Sequence, residues 1–311
     1  MIMSLAHTYS IVAYDQENQQ FGVAVQSHYF NVGGGVPWAE PGIGAVATQA
    51  FTDPSYGPLG LALIRAGKTA NQSLEGLIAS DPDADMRQVA MIDNKGNVAT
   101  HTGSKCIPMA GHKQGEYYSV QANLMLKDTV WDAMAHAYEN SSGDLAERMM
   151  LSLEAAENEG GDIRGKQSAS LLVVSSQLDP SPWKGRIFDL RVDDHPEPLH
   201  ELRRLLSVSR AYKYQYAASE ILSDENLDQS KLELANKEFQ KAAQTPEMAD
   251  NPELTFWYAV DLVSADQLDL ALPLFKEVFN TNPIWRELVP RLVQSEILAD
   301  DEKLIKKIVD V

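Results

Sequence analysis

The pattern of apolar and polar positions divides the chain into a first part that mixes strands with helices and a second part that is helical. Strands are predicted where short runs are β-branched, aromatic or alternating, and are bounded by Gly, Asn or Asp. These runs are residues 8–14, 21–29, 43–50, 87–93, 97–102, 118–125, 168–175 and 186–192. Apolar residues at helical spacing predict helices at 56–66, 70–80, 129–139 and 144–157.

The order of these elements indicates the fold class. Hairpins join most of the strands, and pairs of helices are inserted between them, which is typical of antiparallel sheets with helices on their outer faces. A doubly wound parallel sheet would alternate single strands with single helices. We therefore predict an α+β fold, a four-layer α-β-β-α sandwich, followed by an all-α domain of helical hairpins.

The polar, proline-bearing stretch 193–198 marks the predicted domain boundary. We assign residues 1–196 to the sandwich and 197–311 to the helical domain. Helices are predicted there at 200–216, 227–244, 253–265, 268–280, 284–295 and 300–309. Asn251-Pro252 and Asn282-Pro283 lie 31 residues apart, close to the period of about 34 in tetratricopeptide repeats. Tetratricopeptide-like packing and a plain helical bundle both fit this pattern.

Charge and composition restrict the function classes. The chain of 311 residues has a formal net charge of −18 and no cluster of Lys or Arg, which argues against nucleic-acid binding. It has one cysteine, Cys106, so it cannot form an internal disulfide. No apolar run reaches about 18 residues, and the N-terminus lacks a basic signal-peptide region. We expect a cytoplasmic protein without a membrane span.

Two groups of polar residues could bind or polarise a substrate. Asp162 and Arg164 lie in a glycine-rich loop that precedes an apolar strand; they could orient a polar substrate or simply pair with each other. Gln121 and Asn123 are two apart on one predicted strand and so face the same side. Their amides could form an oxyanion hole or a cross-sheet hydrogen bond, and Thr48-Gln49 allows the same two interpretations.

His101, Cys106 and His112 suggest a further, metal-based alternative. These side-chain types suit zinc, but their spacing matches no familiar zinc motif and no fourth ligand is evident. We therefore predict neither a metal nor another cofactor. A Cys106 nucleophile beside one of the two histidines is a related alternative.

Several sequence blocks resemble the bacterial and archaeal domain-of-unknown-function family 1028. They are Thr8-Tyr-Ser-Ile-Val-Ala13, Gly22-Val-Ala-Val25, Gly42-Ile-Gly-Ala-Val-Ala-Thr-Gln-Ala50, Tyr56-Gly-Pro58, Ala110-Gly-His112, residues 161–169 and residues 189–196. The resemblance implies a fold like that of the N-terminal-nucleophile hydrolases. In these enzymes a Thr, Ser or Cys at the start of the first strand attacks an amide carbonyl, and its own α-amine is the base.

By position, the resemblance makes Thr8 the nucleophile of an amidohydrolase acting on a small C–N bond. Gln121 and Asn123 would then assist catalysis. The predicted substrate-binding residues are Thr48, His112, Asp162, Arg164, Gln167 and Ser168. The substrate would be a small molecule of unidentified structure.

The seven residues before Thr8 leave the activity open, because an uncleaved His7–Thr8 bond leaves no free amine. The chain could be an unprocessed precursor, use His7, His28 or His112 as the base, or have lost the chemistry. The alternative function is a non-catalytic scaffold whose helical domain binds a protein or peptide. Its groove would be lined by Trp257, Tyr258, Phe275 and Trp285 unless these residues form the core. A homodimer is compatible with either function.

Overall fold

The computed structural model describes residues 4–179 and 181–311. The chain divides into two compact units, Met1–Arg203 and Arg204–Val311. This division lies a few residues beyond the boundary that the sequence predicts at 196. The α+β class is confirmed, since two antiparallel sheets are accompanied by helices and the C-terminal region is helical.

The strands of the described residues form two antiparallel sheets. The first sheet contains β1 (Ser4–Ala6), β4 (Pro37–Glu40), β5 (Gly44–Thr52), β6 (Arg87–Asp93) and β7 (Val98–Thr102). Its order is β1-β5-β6-β7, and β4 also pairs with β5. The second sheet contains β2 (Thr8–Asp15), β3 (Gln20–Ser27), β8 (Gly111–Gly115), β9 (Tyr118–Ala122), β10 (Ser168–Ser175) and β11 (Arg186–Val192). Its order is β11-β10-β3-β2-β9-β8.

The interface between the two sheets is apolar at one end and polar at the other. Its apolar part is a buried cluster that includes Val12, Phe21, Val23, Val25, Ala45, Ala47, Ala90 and Ile92. Side chains alternate between the two faces of a strand, so the inner positions continue along β2, β5, β6 and β9 as buried polar residues. These are Ser10, Gln49, Gln88 and Gln121. Burial of so many polar groups requires that they bond to one another.

Helices cover the outer side of each sheet. α1 (Tyr56–Arg65) and α2 (Ala70–Ser80) pack against Val46, Val89 and Met91 of the first sheet. α3 (Val130–Asn140) and α4 (Leu145–Glu159) pack together, and α4 lies against β2 and β3. A Cβ at Gly22 would come within 2.4 Å of Met149 Cε, so the glycine leaves room for the Met149 side chain between α4 and the sheet.

The second unit is built from helices. They are α5 (Pro198–Leu222), which begins in the first unit, α6 (Gln229–Ala243), α7 (Glu253–Ser264), α8 (Leu268–Thr281), α9 (Val289–Gln294) and α10 (Glu302–Val309). The helix predicted over 284–295 is instead a 3₁₀ helix, Pro283–Leu288, followed by α9. Tyr258 and Phe275 are buried in the core, and Trp257 and Trp285 pack partly buried against it. Across the described part of the chain, no helix has the length and apolarity that a membrane crossing needs.

Candidate functional site

Thr8 lies at the polar end of the interface, where the chain crosses from one sheet to the other. β1 belongs to the first sheet and β2 to the second, so the His7–Thr8 peptide bond bridges them. Thr8 pairs with Ser27 of β3 and is fully buried. Its hydroxyl donates a hydrogen bond to the Ala6 carbonyl oxygen at 2.6 Å. The hydroxyl is therefore held beside the backbone that precedes it.

The carbonyl oxygen of His7 accepts hydrogen bonds from two side chains. Ser27 Oγ donates at 2.5 Å and Arg164 Nη2 donates at 2.9 Å. This oxygen belongs to the peptide bond that joins His7 to Thr8. Two preorganised donors on one carbonyl oxygen, one of them charged, are the arrangement that stabilises an oxyanion.

Asp162 fixes the guanidinium of Arg164 in this position. Arg164 Nε lies 3.0 Å from Asp162 Oδ1, and Arg164 Nη2 lies 2.6 Å from Asp162 Oδ2. The Asp162 side chain has no exposed surface, and its Oδ2 also accepts the main-chain N–H of His28 at 3.2 Å. The sequence left open whether this pair binds substrate or only forms an ion pair. In the structure the ion pair aims the guanidinium at the His7 carbonyl.

Four buried amide side chains and the Ser10 hydroxyl form a hydrogen-bonded network beside Thr8. Gln49 Nε2 and Asn123 Nδ2 donate to Gln88 Oε1 at 2.6 and 2.9 Å. Ser10 Oγ donates to Gln49 Oε1 and accepts from Gln121 Nε2, each at 2.6 Å. Such a fully satisfied network holds each amide in one orientation.

Thr8 is joined to this network through its main chain. The Asn123 main-chain N–H donates to the Thr8 carbonyl oxygen at 3.1 Å, and Gln49 Nε2 lies 3.3 Å from the same oxygen. The backbone of Thr8 is therefore held from both sheets, by Gln49 on β5 of the first and by Asn123 after β9 of the second.

The imidazole of His7 occupies a buried position beside Asn123 and Phe51. His7 Nδ1 lies 2.8 Å from Asn123 Oδ1. Because Asn123 Nδ2 donates to Gln88, its Oδ1 is the acceptor, so Nδ1 carries the hydrogen. The ring meets Phe51 edge-on, with centroids 5.5 Å apart. Burial is the main cause that lowers the His7 pKa, so the neutral ring is favoured.

Backbone strain lies next to two of the network residues. Ala50 follows Gln49 with φ = 70°, and Leu124 follows Asn123 with φ = 59°. A non-glycine residue in this left-handed region costs on the order of 1–3 kcal/mol. Such strain persists where the surrounding structure holds it, and it is concentrated at functional sites.

Of the predicted substrate-binding residues, Thr48, Gln167 and Ser168 bond through their side chains to partners outside the groups around Thr8. His112 is linked to Gln88 of the network through Thr102 Oγ1, which accepts from Gln88 Nε2 at 3.0 Å. Thr48 Oγ1 donates to the Asp53 carbonyl at 3.0 Å, and its strand neighbour Gln49 takes the inner position instead. His112 Nδ1 is bonded to Thr102 Oγ1 at 2.8 Å. Gln167 Nε2 donates to Asp194, and Ser168 Oγ donates to the Tyr29 carbonyl.

The residues of the metal and cysteine alternatives bond to separate partners. His101 Nε2 contacts the Ala84 carbonyl at 2.8 Å, and the Cys106 thiol donates to the Arg87 carbonyl at 3.4 Å. Burial raises the pKa of Cys106 to about 11, which disfavours the reactive thiolate. Within residues 4–179 and 181–311, no three His, Cys, Asp or Glu side chains are grouped to hold a metal ion.

Sequence reasoning did not select Ser27 or Gln88, and it committed to Thr48 rather than to its neighbour Gln49. Gln88 lies next to Arg87 at the start of β6, before the apolar run 89–92, so no sequence signal marked it as buried. Ser27 carried no signal either, because its role depends on pairing with Thr8.

Comparison with known proteins identifies a family and a related crystal structure. The model of the "Family of unknown function (DUF1028)" matches residues 8–202. The crystal structure of protein SPO2555 from Silicibacter pomeroyi, assigned to the same family model, is similar with a TM-score of 0.58 and 28% identity. The match covers 65% of this chain and 85% of that chain. No curated protein matches. The chain therefore belongs to the family of unknown function DUF1028.

Proposed function

We propose that this chain is an amidohydrolase of the N-terminal-nucleophile type, in which Thr8 attacks a small amide or another C–N bond after residues 1–7 are removed. In this proposal, the two facing sheets and their outer helices form the four-layer α-β-β-α sandwich of that class. The family match begins at Thr8, which places residues 1–7 outside it.

The His7 carbonyl oxygen carries the proposal. It accepts from Ser27 Oγ and Arg164 Nη2, and the residue that follows it is a threonine whose hydroxyl is buried nearby. A carbonyl with only a structural role needs no charged donor. Cleavage of the His7–Thr8 bond by the Thr8 hydroxyl benefits from one, because negative charge develops on the His7 oxygen.

Self-cleavage then follows from the chemistry of adjacent groups. Thr8 Oγ1 adds to the His7 carbonyl carbon, and Ser27 and Arg164 stabilise the oxyanion. The C–N bond breaks, the Thr8 nitrogen leaves as an amine that has gained the hydroxyl proton, and an ester forms at Oγ1. One water molecule hydrolyses the ester, which releases residues 1–7 with a carboxylate at His7.

The processed chain has the groups that amide hydrolysis requires. A free α-amine ordinarily has a pKa near 8, so the new α-amine of Thr8 can accept the proton of the Thr8 hydroxyl as the latter attacks. Arg164 and Ser27 are free to bind the substrate carbonyl, and Asp162 keeps Arg164 in place. Asn123 loses its contact with His7 and becomes available to the substrate. Gln121 acts through Ser10 and the network as a positioning residue.

Intact-mass and N-terminal analysis of the purified chain tests the proposal. Thr8→Ala is expected to leave residues 1–7 attached, whereas Thr8→Ser keeps a hydroxyl and is the matched control that still processes. A β-lactone probe is expected to acylate Thr8 of the processed protein. A wild-type chain that folds, keeps residue 7 joined to Thr8 and takes no label contradicts the proposal.

The same experiment separates the alternative of a non-catalytic scaffold that binds partners through a tetratricopeptide-like helical domain. Tyr258 and Phe275 are buried in the helical core, so they do not support the predicted groove. An intact, unlabelled chain is the result that this alternative expects.

A further inference from the structure

β1 occupies a short stretch of the edge of β5 in the way that a bound peptide would. Ser4, Leu5 and Ala6 pair with Thr52, Phe51 and Ala50. The preceding part of this edge is covered, because β4 pairs with β5 from Gly44 to Ala47 and the Thr48 main-chain N–H donates to the Val36 carbonyl oxygen. Removal of residues 1–7 therefore exposes the main chain of only 50–52, and an extended peptide can add to such an edge.

The exposed stretch is limited in length. β5 ends at Thr52, and Pro54, which lacks a main-chain N–H, follows soon after. A peptide strand in the place of β1 can therefore pair over about three residues before it reaches the position of His7. The space that residues 4–7 leave, called the cleft below, therefore has room for about four residues on the acyl side of the attacked bond.

The place of the His7 side chain selects a particular kind of residue. Asn123 Oδ1 accepts a hydrogen bond from the His7 ring, and the Phe51 ring contacts it edge-on. The position is buried, and the two charges that act on it, those of Arg164 and Asp162, are already paired with each other. A charged side chain there would therefore lose its hydration without gaining a free partner of opposite charge. A planar ring with an N–H donor satisfies both neighbours.

The two reactions of Thr8 share one intermediate. During self-cleavage, the peptide that ends at His7 becomes esterified to Thr8 Oγ1. A substrate peptide whose acyl part ends in Ser-Leu-Ala-His forms the same ester with the processed enzyme. The cleft that hydrolyses the first ester therefore also accepts the second.

We infer that the processed enzyme acts on peptides, that their acyl part lies extended along residues 50–52, and that histidine or a similar N–H-bearing ring precedes the attacked bond. This inference names a substrate class for the proposed function and rests on it.

The test uses the self-processed chain and three fluorogenic coumarin amides, those of acetyl-Ser-Leu-Ala-His, acetyl-Ser-Leu-Ala-Glu and acetyl-His. The Ser-Leu-Ala-His amide is expected to exceed each of the others in kcat/KM by about tenfold. The Ser-Leu-Ala-Glu amide lacks the imidazole ring, and the acetyl-His amide lacks the three residues that pair with residues 50–52. Phe51→Ala is expected to raise KM for the first peptide and to reduce its advantage over the second. Phe30→Ala, which removes an exposed ring, is the matched control and leaves both unchanged.

The outcomes separate the inference from the proposed function. A processed chain that is acylated at Thr8 by the β-lactone, yet hydrolyses the three amides at equal rates or not at all, overturns the inference alone. A chain that neither processes nor reacts overturns both. The peptide comparison needs only the wild-type protein, so it decides the question even where Phe51→Ala does not fold.

Discussion

Replacing Ser27 with alanine removes one of the two donors to the His7 carbonyl oxygen and leaves the other in place. The Ser27 hydroxyl donates at 2.5 Å, and Arg164 remains at 2.9 Å. In the ground state this change costs one hydrogen bond, or about 1 kcal/mol of folding free energy. Because the oxygen keeps a charged donor, we expect the fold to persist.

The effect on self-cleavage is larger, because the bond strengthens as the oxygen becomes negative. Loss of one oxyanion donor slows related reactions by roughly 10²–10³-fold, and each tenfold corresponds to about 1.4 kcal/mol. We expect Ser27→Ala to lie near the lower end of this range. Arg164→Ala should lie near the upper end, because a charged donor forms the stronger bond.

The assay follows release of residues 1–7 by intact mass after synthesis of each variant. Ser170→Ala is the matched control: Ser170 is also buried, and its hydroxyl donates to a main-chain carbonyl, that of Leu190, at 3.1 Å. It should process at the wild-type rate. Thermal unfolding of all variants checks that the slow ones are folded.

Processing of folded Ser27→Ala at the wild-type rate would refute the reasoning. Such a result means that no charge develops on the His7 oxygen, and the two donors would then have a structural role only. Equal slowing of Ser27→Ala and Ser170→Ala contradicts it too, because the effect would then come from general loss of buried hydrogen bonds.

Three further predictions concern pH, the cysteine and the core. Burial lowers the pKa of His7 in the folded chain, so the unfolded chain binds the His7 proton first as the pH falls. Uncleaved Thr8→Ala should therefore lose stability below about pH 6.5. In urea titrations, the double variant Thr8→Ala, His7→Gln should lose less stability over the same pH range. Cys106→Ala should process and react with β-lactone like the wild type, and a loss of either would revive the cysteine alternative. Gly44→Ala should lower the free energy of unfolding by about 3 kcal/mol. The reason is that Gly44 has φ = 154° and a Cβ there would lie 2.1 Å from the Ile92 carbonyl oxygen. An unchanged urea midpoint would contradict this.

The sequence predicts most of the strands and misses three short ones. Arg87–Asp93, Ser168–Ser175 and Arg186–Val192 have the predicted bounds, because their apolar content and flanking turns are local signals. β1, β4 and β8 are not predicted. They have three to five residues, and β8 is Gly-His-Lys-Gln-Gly. Such strands form because a neighbouring strand offers an edge, which is information that a local window does not contain.

The candidate site shows the same limit. Thr48 and Gln49 are adjacent, and alternation assigns them to opposite faces of β5. The sequence did not indicate which face is inner, because β5 is buried on both faces and small apolar residues occupy both. The structure places Gln49 with the inner Ala45 and Ala47. The prediction that Gln121 and Asn123 share a face did not require knowing which face is the inner one. Both join the network, although β9 ends at Ala122.

On the proposed function, burial of the His7–Thr8 bond determines the order of events at the site. Both residues are buried, so bulk water does not reach the bond before cleavage, whereas the neighbouring Thr8 hydroxyl does. The acyl shift therefore precedes hydrolysis. Water reaches the ester only when β1 separates from Ala50–Thr52, and a strand of three residues makes few main-chain bonds to break. The movement that admits water thus also empties the edge of β5, so completion of self-cleavage and opening of the substrate cleft are one event.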